Sequence, residues 1–259
     1  MVLVIQKQGK MSKWGKAKVK ISVVVVTYNA EDKIGITLDS FLNQNIDFDV
    51  AECVVIDGCS KDHTIETVKK YCIFHKNIKL FVEEDNGIYD AMNKCLRCSS
   101  GEYILFLSAG DTFASDSVLK NVVEQAKCDI VYGYVYMKDM SNNAFKYIVK
   151  LDFMYTFRFS PISHQAVFAR RALFNSYKFD MAYKIAADQD WIMRCYKNGC
   201  TTQFIDVAIC NFDMNGISGT DSGKQLYLQE KQLIQKTYYP VRCAIHRLGQ
   251  NMKEKLGIR

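Results

Sequence analysis

Residues 21–44 read ISVVVVTYNAEDKIGITLDSFLNQ, and this stretch decides the fold class. Its opening apolar run predicts a strand over 20–27, because a run without polar alternation is typical of a strand covered on both faces. Ile34 and Leu38 then recur at helical spacing and predict a helix over 31–44. A buried strand followed at once by an amphipathic helix is the unit from which parallel sheets are built.

The same alternation of strands and helices continues along the chain. It predicts an α/β fold with a Rossmann-like, mostly parallel sheet flanked by helices and a C-terminal helical extension. The predicted strands are 52–56, 78–82, 103–107, 129–136, 145–150 and 202–212, and the predicted helices are 62–74, 87–96, 115–126, 188–198, 226–239 and 241–257. We expect Ser115 to be the N-cap of its helix.

The formal net charge of +6 is concentrated at the two ends of the chain. Residues 1–20 carry six lysines and no acidic residue, and residues 241–259 carry five basic residues against one acidic residue. The body between them is therefore net acidic. This distribution favours contact with an anionic surface over binding to nucleic acid. The amphipathic pattern of 241–257 fits an interfacial membrane helix as well as a packed helix with a solvated basic face.

Hydropathy and cysteine usage indicate the compartment. No window approaches the roughly 18 consecutive apolar residues of a membrane span. The apolar start at 1–5 is too short for the core of a signal peptide. The ten cysteines lie mostly in or beside apolar stretches, and the pair Cys95 and Cys98 has no partner pair at zinc-ribbon spacing, which predicts reduced, buried thiols. We expect a cytoplasmic protein that can attach peripherally to the inner face of the membrane.

Four successive predicted strands end in polar turns that carry carboxylates. These turns are TYNAE at 27–31, DGCS at 57–60, EEDNGIYD at 83–90 and SAGD at 108–111. Open parallel sheets bind ligands beyond the carboxyl ends of their strands, so the four turns predict one site. Several carboxylates on one edge repel each other unless a cation or ligand compensates, which favours a phosphorylated ligand bound with Mg²⁺ or Mn²⁺. Neither the P-loop pattern nor GxGxxG is present.

Taken together, these blocks resemble a known family. The runs ISVVVVTYNAEDKIGITLDSFLNQ, VVIDGCSKDHT, EEDNGIYDAMNKCL and GEYILFLSAGDTF are similar to the nucleotide-sugar half of a family-2 inverting glycosyltransferase with the GT-A fold, of the bacterial surface-polysaccharide type. The later stretch from SHQAVFARRALF to IAADQDWIMRCYKNG resembles the acceptor half of that family. The resemblance covers about residues 20–215.

The resemblance implies both a domain plan and a reaction. It implies a glycosyltransferase domain at 19–220, and the charge and periodicity of the two ends predict a basic flexible tail at 1–18 and amphipathic basic helices at 221–259. Within the domain, 19–113 is the nucleotide-sugar half and 114–220 the acceptor half. The implied reaction moves a hexosyl or N-acetylhexosaminyl group from a UDP- or dTDP-sugar to a saccharide acceptor, typically a lipid-linked intermediate of polysaccharide or glycolipid synthesis.

By the same resemblance, eight residues are assigned to the nucleotide-sugar donor. They are Thr27, Tyr28, Glu31, Asp57, Asp85, Gly87, Asp90 and Asn93. The first three belong to the loop that holds base and ribose, and Tyr28 can stack on a pyrimidine ring. Asp57 is implied to hydrogen-bond the base. The last four match the block D-x-G-x-x-D-A-x-N that lies near the ribose and the donor sugar.

Two further carboxylates are implied to act on the diphosphate and on the acceptor. Asp111 matches the final carboxylate of the family's DxD-type motif and is the candidate ligand for Mg²⁺ or Mn²⁺, although Ala109 stands where the first carboxylate belongs. Asp188 matches the family's general base, which takes the proton of the acceptor hydroxyl. Asp190 is the second candidate for that role, but on a helix it would point away from Asp188.

Four questions remain open at this point. His164 is either a structural residue or a contact for acceptor or phosphate, and 215–219 is either a loop that closes over the diphosphate or a plain connector. The acceptor could also be a polyprenyl phosphate. Because the metal motif is incomplete, a protein that binds a nucleotide sugar without turnover is the alternative outside enzymes.

Overall fold

The computed structural model describes residues 3–5, 21–138, 144–147, 162–213 and 220–240. The chain divides into two compact units, Met1–Met214 and Asn215–Arg259, and each is considered by itself. Two predictions lie outside the described residues, the loop at 215–219 and the terminal helix at 241–257, and of the predicted tail at 1–18 only Leu3–Ile5 is described, as a strand.

The described residues contain ten strands and seven α-helices. The strands are β1 (Leu3–Ile5), β2 (Ile21–Thr27), β3 (Ala51–Asp57), β4 (Ile78–Val82), β5 (Tyr103–Ser108), β6 (Thr112–Phe113), β7 (Ile130–Lys138), β8 (Ala144–Tyr147), β9 (Val167–Arg170) and β10 (Thr202–Asn211). The helices are α1 (Glu31–Leu42), α2 (Thr64–Phe74), α3 (Ile88–Cys98), α4 (Val118–Gln125), α5 (Leu173–Ser176), α6 (Ala187–Lys197) and α7 (Asp221–Tyr238). A single 3₁₀ turn, His164–Ala166, precedes β9.

The strands form one sheet in the order β1-β4-β3-β2-β5-β9-β7-β10-β6, with β8 paired to β7. The first half, β4-β3-β2-β5, is parallel as predicted, and the antiparallel strand β9 joins it to β7. In that first half Thr27 lies opposite Asp57, and Asp57 lies opposite Val82. Val26 lies opposite Ser108 on the other side of β2. The polar turns that follow these strands therefore leave the sheet at one edge.

The core confirms the reading of residues 21–44. Every residue of β2 is buried, which fits a strand covered on both faces. The apolar face of α1 contributes Ile34, Leu38 and Phe41, and all three side chains are essentially inaccessible to water. Hydrophobic burial on both faces of the parallel strands fixes which turns come together at their ends.

The N-terminus of α4 differs from its prediction. The N-cap residue is Ser117, so the prediction of Ser115 as the cap is wrong. The side chain of Ser117 accepts no capping hydrogen bond. Gln44, at the end of α1, supplies the cap instead, because its Oε1 accepts the Leu119 N–H at 3.0 Å. Its Nε2 donates to the Ser115 carbonyl at 2.7 Å. A buried glutamine from the turn just after α1 therefore satisfies a donor that would otherwise lack a partner.

A buried carboxylate closes the opposite edge of the sheet, where the parallel strands begin. Glu52 accepts hydrogen bonds from Ser22 Oγ at 2.5 Å, Lys79 Nζ at 2.5 Å and the Ser100 N–H at 2.6 Å. Burial acts to raise the pKa of Glu52, but these hydrogen bonds and the Lys79 charge outweigh it, so the pKa lies below its usual value. This network is internally compensated and needs no ligand.

The thiols behave as the sequence predicts. Each cysteine in the described part of the chain is free, and five of them are buried: Cys53, Cys72, Cys95, Cys195 and Cys210. Burial raises the pKa of Cys95 to about 12 and also raises that of Cys98. Thiols with raised pKa values are poor nucleophiles, so the Cys95 and Cys98 pair has the character of core packing.

The second unit is described only by α7 and the residues next to it. Thr220 caps this helix, since its side chain accepts the Gly223 N–H at 3.0 Å. Among the helices that the structure describes, none has both the length and the hydropathy that crossing a membrane requires.

Candidate active site

Two of the polar turns are joined by hydrogen bonds into one platform. The Asn29 N–H donates to Ser60 Oγ and the Ala30 N–H to Thr64 Oγ1, both at 2.8 Å. In return, the Lys61 N–H donates to Asn29 Oδ1 at 2.8 Å. The turn after β2 and the turn after β3 are thereby held in a fixed relation at the carboxyl edge of the sheet.

Glu31 belongs to this platform. Its Oε2 accepts the His63 N–H at 2.7 Å and lies 2.8 Å from His63 Nδ1. The hydrogen bond from the His63 N–H is the main reason why the pKa of Glu31 is lowered, and the carboxylate in turn raises the pKa of His63. The described contacts of Glu31 stabilise the loop, and its contact with a nucleotide stays a prediction.

Tyr28, Gly58 and Asp85 meet on this platform. Tyr28 is 58% exposed, which is unusual for an aromatic side chain at the end of a buried strand. A Cβ at Gly58 would come within 2.5 Å of Asp85 Oδ2 and 3.4 Å of Tyr28 Cδ2. Because Gly58 has no side chain, the exposed ring of Tyr28 and the carboxylate of Asp85 can lie side by side. A ring face and an adjacent acceptor suit a base and the hydroxyl groups of a ribose.

Thr27 and Asp57 lie beneath these three residues and are buried. Thr27 Oγ1 is inaccessible to water and has no hydrogen-bond partner, which is rare for a buried hydroxyl group. Asp57 accepts from the Ser60 N–H and from Ser60 Oγ, each at 2.7 Å. Burial raises the pKa of Asp57, and the hydrogen bonds from Ser60 offset this only in part. Its described contacts shape the turn, and its contact with a base stays a prediction.

The block at 85–93 has divided roles. Gly87 has a φ of +112°, a conformation that favours glycine, and its N–H donates to Asp85 Oδ1 at 2.9 Å. Asp90 accepts the Asn86 N–H at 2.9 Å, which helps to keep its pKa low despite partial burial. Asn93 faces the second half of the domain.

The side chain of Asn93 is fully engaged with backbone. Its Nδ2 donates to the Phe179 carbonyl at 3.0 Å, and its Oδ1 accepts the Phe179 N–H at 2.9 Å. Asn93 thereby ties α3 to the segment that leads into α6. Its predicted contact with the donor stays a prediction.

Asp111 is buried and well supplied with donors. It is 1% exposed, its Oδ2 accepts the Ser108 N–H at 2.8 Å, and its Oδ1 accepts the Asp213 N–H at 2.9 Å. The side chain of Gln165 donates to it as well. Burial raises the pKa of Asp111, and these hydrogen bonds only partly offset the effect.

This environment is a poor fit for a divalent cation. Mg²⁺ and Mn²⁺ need accessible oxygen atoms, whereas both oxygens of Asp111 already accept N–H groups. No group of three or more His, Cys, Asp or Glu side chains suited to a metal ion occurs within the described residues. The role of Asp111 as a metal ligand stays a prediction that its contacts do not favour.

Asp188 opens helix α6 and is held by three donors. His164 Nδ1 lies 2.8 Å from its Oδ2, and Tyr89 Oη and the Gln189 N–H donate to its Oδ1 at 3.2 and 2.9 Å. The residue is 7% exposed. Asp190 points elsewhere and pairs with Arg194 Nε at 2.8 Å. Of the two carboxylates, Asp188 is therefore the one that lies among candidate site residues.

The 3₁₀ turn before β9 connects the two candidate carboxylates. His164 contacts Asp188, and its neighbour Gln165 contacts Asp111. The other ring nitrogen of His164, Nε2, is buried and has no hydrogen-bond partner. Asp111 and Asp188 are therefore linked through two neighbouring residues of one turn.

An apolar wall lies behind this pair. A small cavity next to His164 and Asp188 is lined by Phe106, Phe174 and Trp191 among others. Phe174 stacks on Trp191 with ring centroids 4.6 Å apart. Apolar surroundings lower the local dielectric, which strengthens the hydrogen bond between His164 and Asp188.

Sequence reasoning missed several partners of the predicted residues. Tyr89 lies within the quoted block EEDNGIYD, yet only its position beside Asp188 gives it a role. The sequence leaves His164 open between a structural and a functional role. It gives no signal for the ion pair of Lys33 and Asp213, whose Nζ and Oδ2 lie 2.5 Å apart next to Gly110.

Comparison with known proteins identifies relatives of the whole first unit. The model of the family described as Glycosyl transferase family 2 matches residues 22–184. A PGL/p-HBAD biosynthesis glycosyltransferase from Mycobacterium bovis (strain BCG / Pasteur 1173P2) is 30% identical over 236 residues, which are 86% of this chain and 88% of the relative.

Solved structures share the fold. S. aureus TarS 1-349, solved in complex with UDP-GlcNAc, superposes with a TM-score of 0.66 at 22% identity. The match covers 85% of this chain and 68% of the TarS chain. The mannosyltransferase PcManGT from Pyrobaculum calidifontis, solved with GDP-Man and Mn²⁺, gives a TM-score of 0.59 at 19% identity over 74% of this chain and 56% of its own. At these identities the likeness establishes the GT-A fold.

Proposed function

The chain belongs to glycosyl transferase family 2, and from that premise we propose that it is an inverting enzyme that uses a UDP- or dTDP-sugar to glycosylate a saccharide acceptor. The observation that carries the proposal is the link between Asp188 and Asp111 through the neighbouring residues His164 and Gln165. A donor platform and a candidate base on one edge of a sheet are what a single-displacement transfer needs.

Support for the donor comes from the platform of Tyr28, Gly58 and Asp85. The exposed ring of Tyr28 can stack on the base, and the carboxylate of Asp85 can accept hydrogen bonds from ribose hydroxyls. TarS was solved with UDP-GlcNAc on the same fold. A pyrimidine nucleotide is therefore the donor that we propose, and Thr27 Oγ1 is the buried group that it would satisfy.

Asp188 is proposed as the general base. Its carboxylate takes the proton from the acceptor hydroxyl as that oxygen forms a bond to the anomeric carbon. The bond from the anomeric carbon to the nucleoside diphosphate breaks on the opposite side, which inverts the configuration. The nucleoside diphosphate leaves with the bonding electron pair, and no covalent intermediate forms on the protein.

His164 and Tyr89 are proposed to position that base. They reach Asp188 at Oδ2 and Oδ1, respectively, and fix the direction of the remaining lone pairs. An aligned carboxylate accepts a proton more effectively than a freely rotating one, because the geometry is set before reaction. They are positioning residues, since their contacts are with Asp188.

The acceptor that we propose is a lipid-linked saccharide of polysaccharide or glycolipid synthesis. A relative that shares 30% identity is named for PGL/p-HBAD biosynthesis. The two basic ends predicted to contact the inner face of a membrane lie outside the described residues. Asp111 remains the predicted ligand for Mg²⁺ or Mn²⁺, although the N–H groups on both of its oxygens do not favour that role.

A donor panel tests this proposal. Purified full-length protein is incubated with UDP- and dTDP-sugars and with either saccharide acceptors or polyprenyl phosphate, and release of nucleoside diphosphate is measured for wild type, Asp188→Asn and Asp49→Asn. We expect Asp188→Asn to lower turnover by about 10²–10⁴-fold while donor affinity is kept. Asp49→Asn makes the same chemical change on the exposed side before β3 and should have no effect.

The outcomes separate the competing readings. Turnover that survives in Asp188→Asn would remove the base assignment. Donor binding without release from any sugar in the wild type would favour a nucleotide-sugar-binding protein. Product formed only with polyprenyl phosphate as acceptor would favour that alternative acceptor.

A further inference from the structure

A second carboxylate, from Asp213, lies at the turn after β5 next to Gly110. Gly110 has a φ of +105°, and a Cβ built on it would come within 2.6 Å of Asp213 Oδ2. The carboxylate of Asp213 therefore occupies the space that a side chain at position 110 would fill. Asp213 belongs to the segment that follows β10 and is therefore remote from Gly110 in sequence.

This carboxylate already holds a cation. Lys33 Nζ lies 2.5 Å from Asp213 Oδ2, and the Asp213 N–H donates to Asp111 Oδ1 at 2.9 Å. Lys33 belongs to the first turn of α1, directly after the loop that carries Tyr28. The ammonium group is thereby brought next to the turn that carries Gly110 and Asp111.

Exposure orients the ion pair. The side chain of Lys33 is 39% exposed, whereas that of Asp213 is 18% exposed, so the positive member faces the solvent more than the negative one does. An ammonium group has three N–H donors, and Lys33 uses one of them to donate to Asp213 Oδ2. The others can bind phosphate oxygens, since lysine binds phosphate as a compact point charge.

We propose that Lys33, held in place by Asp213, is the cation that binds the diphosphate of the donor and stabilises its charge as it leaves. This inference rests on the proposed function, because it requires a nucleoside diphosphate in the cleft. It gives a role to the Gly110 position and accounts for the poor fit of Asp111 to a divalent cation. Donor binding then needs no added metal.

The test measures binding without turnover. Isothermal titration calorimetry with UDP and dTDP is carried out on the full-length protein in EDTA and in Mn²⁺, for wild type, Lys33→Met, Lys33→Arg and Lys70→Met. Lys70 is an exposed lysine in the second half of α2, away from the carboxyl edge, and serves as the matched control. Thermal unfolding of each variant checks that it is folded.

We expect the wild type to bind in EDTA and Mn²⁺ alike. Lys33→Met should weaken binding by about tenfold to hundredfold, as expected for loss of a charged hydrogen bond, while Lys33→Arg retains part of the affinity and Lys70→Met retains all of it. Uridine, which lacks phosphate, should bind wild type and Lys33→Met equally. A distorted cleft would weaken uridine as well and would overturn the proposal.

The opposite results are also specific. Binding that occurs only with Mn²⁺ and is unchanged in Lys33→Met would overturn the inference and leave the proposed function intact. If Asp213→Asn then abolished the Mn²⁺ effect, Asp213 would be a metal ligand rather than an anchor for Lys33. Failure of the wild type to bind any nucleoside diphosphate under either condition would sink the inference and the proposed function together.

Discussion

The two edges of the parallel strands each contain a buried carboxylate, and the pKa values of the two move in opposite directions. Glu52, where the strands begin, is 2% exposed, and Asp111, where they end, is 1% exposed. Burial favours the neutral form of both groups. The ammonium of Lys79 lies 2.5 Å from Glu52 and the pKa falls, whereas Asp111 is held by uncharged donors and the pKa rises.

The difference lies in how the charge of each carboxylate is compensated. The network around Glu52 pairs its charges internally. At the other edge Thr27 Oγ1 and His164 Nε2 are buried without partners, and an aromatic ring is exposed. Substitutions at the first edge should therefore affect the free energy of unfolding, and substitutions at the second should affect binding or turnover.

The largest effect is expected for Glu52→Ala. It leaves Lys79 without its partner and should lower the free energy of unfolding by about 3 kcal/mol, since breaking a buried ion pair leaves an uncompensated charge. Urea unfolding measures this, and Glu124→Ala on the exposed face of α4 is the control. Nucleotide affinity should not change. A loss as small as that of the control would mean that the network is not a structural device.

His164→Ala is the counterpart at the edge where the strands end. We expect kcat to fall by about 100-fold with donor affinity unchanged, because the hydrogen bond to Asp188 orients the base and does not touch the donor. Steady-state kinetics and calorimetry together measure the split. His75→Ala, just after α2 and at the edge where the strands begin, is the matched control. Equal loss of affinity and kcat would contradict a positioning role.

Substitution of one glycine at each edge gives a second comparison of nucleotide affinity with stability. A Cβ at Gly58 would meet the flexible end of Asp85 at 2.5 Å, so Gly58→Ala should weaken nucleotide binding by about tenfold with little loss of stability. A Cβ at Gly101 would meet the Ser22 backbone nitrogen at 2.5 Å, which cannot move away. Gly101→Ala should cost about 2 kcal/mol of stability and leave affinity unchanged in the folded protein.

Calorimetry and urea unfolding of both glycine variants provide the comparison. If Gly58→Ala were as destabilising as Gly101→Ala and bound nucleotide normally, the donor platform would be a structural feature only.

The smallest effect is a pH dependence at the edge where the strands begin. The folded-state pKa of Glu52 lies below its usual value, so its stabilising contribution is present above that value and is lost as pH falls through the folded-state pKa. Urea unfolding of wild type and Glu52→Gln from pH 7 down to about pH 3 should therefore give two curves that converge on the acid side. A gap that stays constant would show that the carboxylate charge is not what stabilises this edge.

Local pattern was sufficient for most elements of the first half. The apolar run of β2 and the helical spacing of Ile34 and Leu38 depend on neighbours a few residues away, and both elements were predicted to within two residues at each end. The cap of α4 was predicted wrongly because its partner, Gln44, is 75 residues away in the chain. Sequence neighbours of Ser115 give no signal for such a contact.

The candidate site was predictable in outline for the same reason. Parallel strands place their carboxyl ends together, so Thr27, Asp57 and the turn with Asp111 were expected on one edge. The direction in which each side chain points was not predictable, and Asn93 turned toward Phe179 while Asp57 closed its own turn on Ser60. These choices depend on which donors and acceptors lie nearby once the chain has packed.

The amino-acid sequence by itself determined where the strands run, which turns gather beyond their ends and which family the blocks resemble, because those features follow from local periodicity and the order of elements. Only the tertiary structure decided that His164 faces Asp188, and that Lys33 meets Asp213 across 180 residues of chain. Such pairs form when remote segments pack on one sheet, and their geometry depends on the whole core.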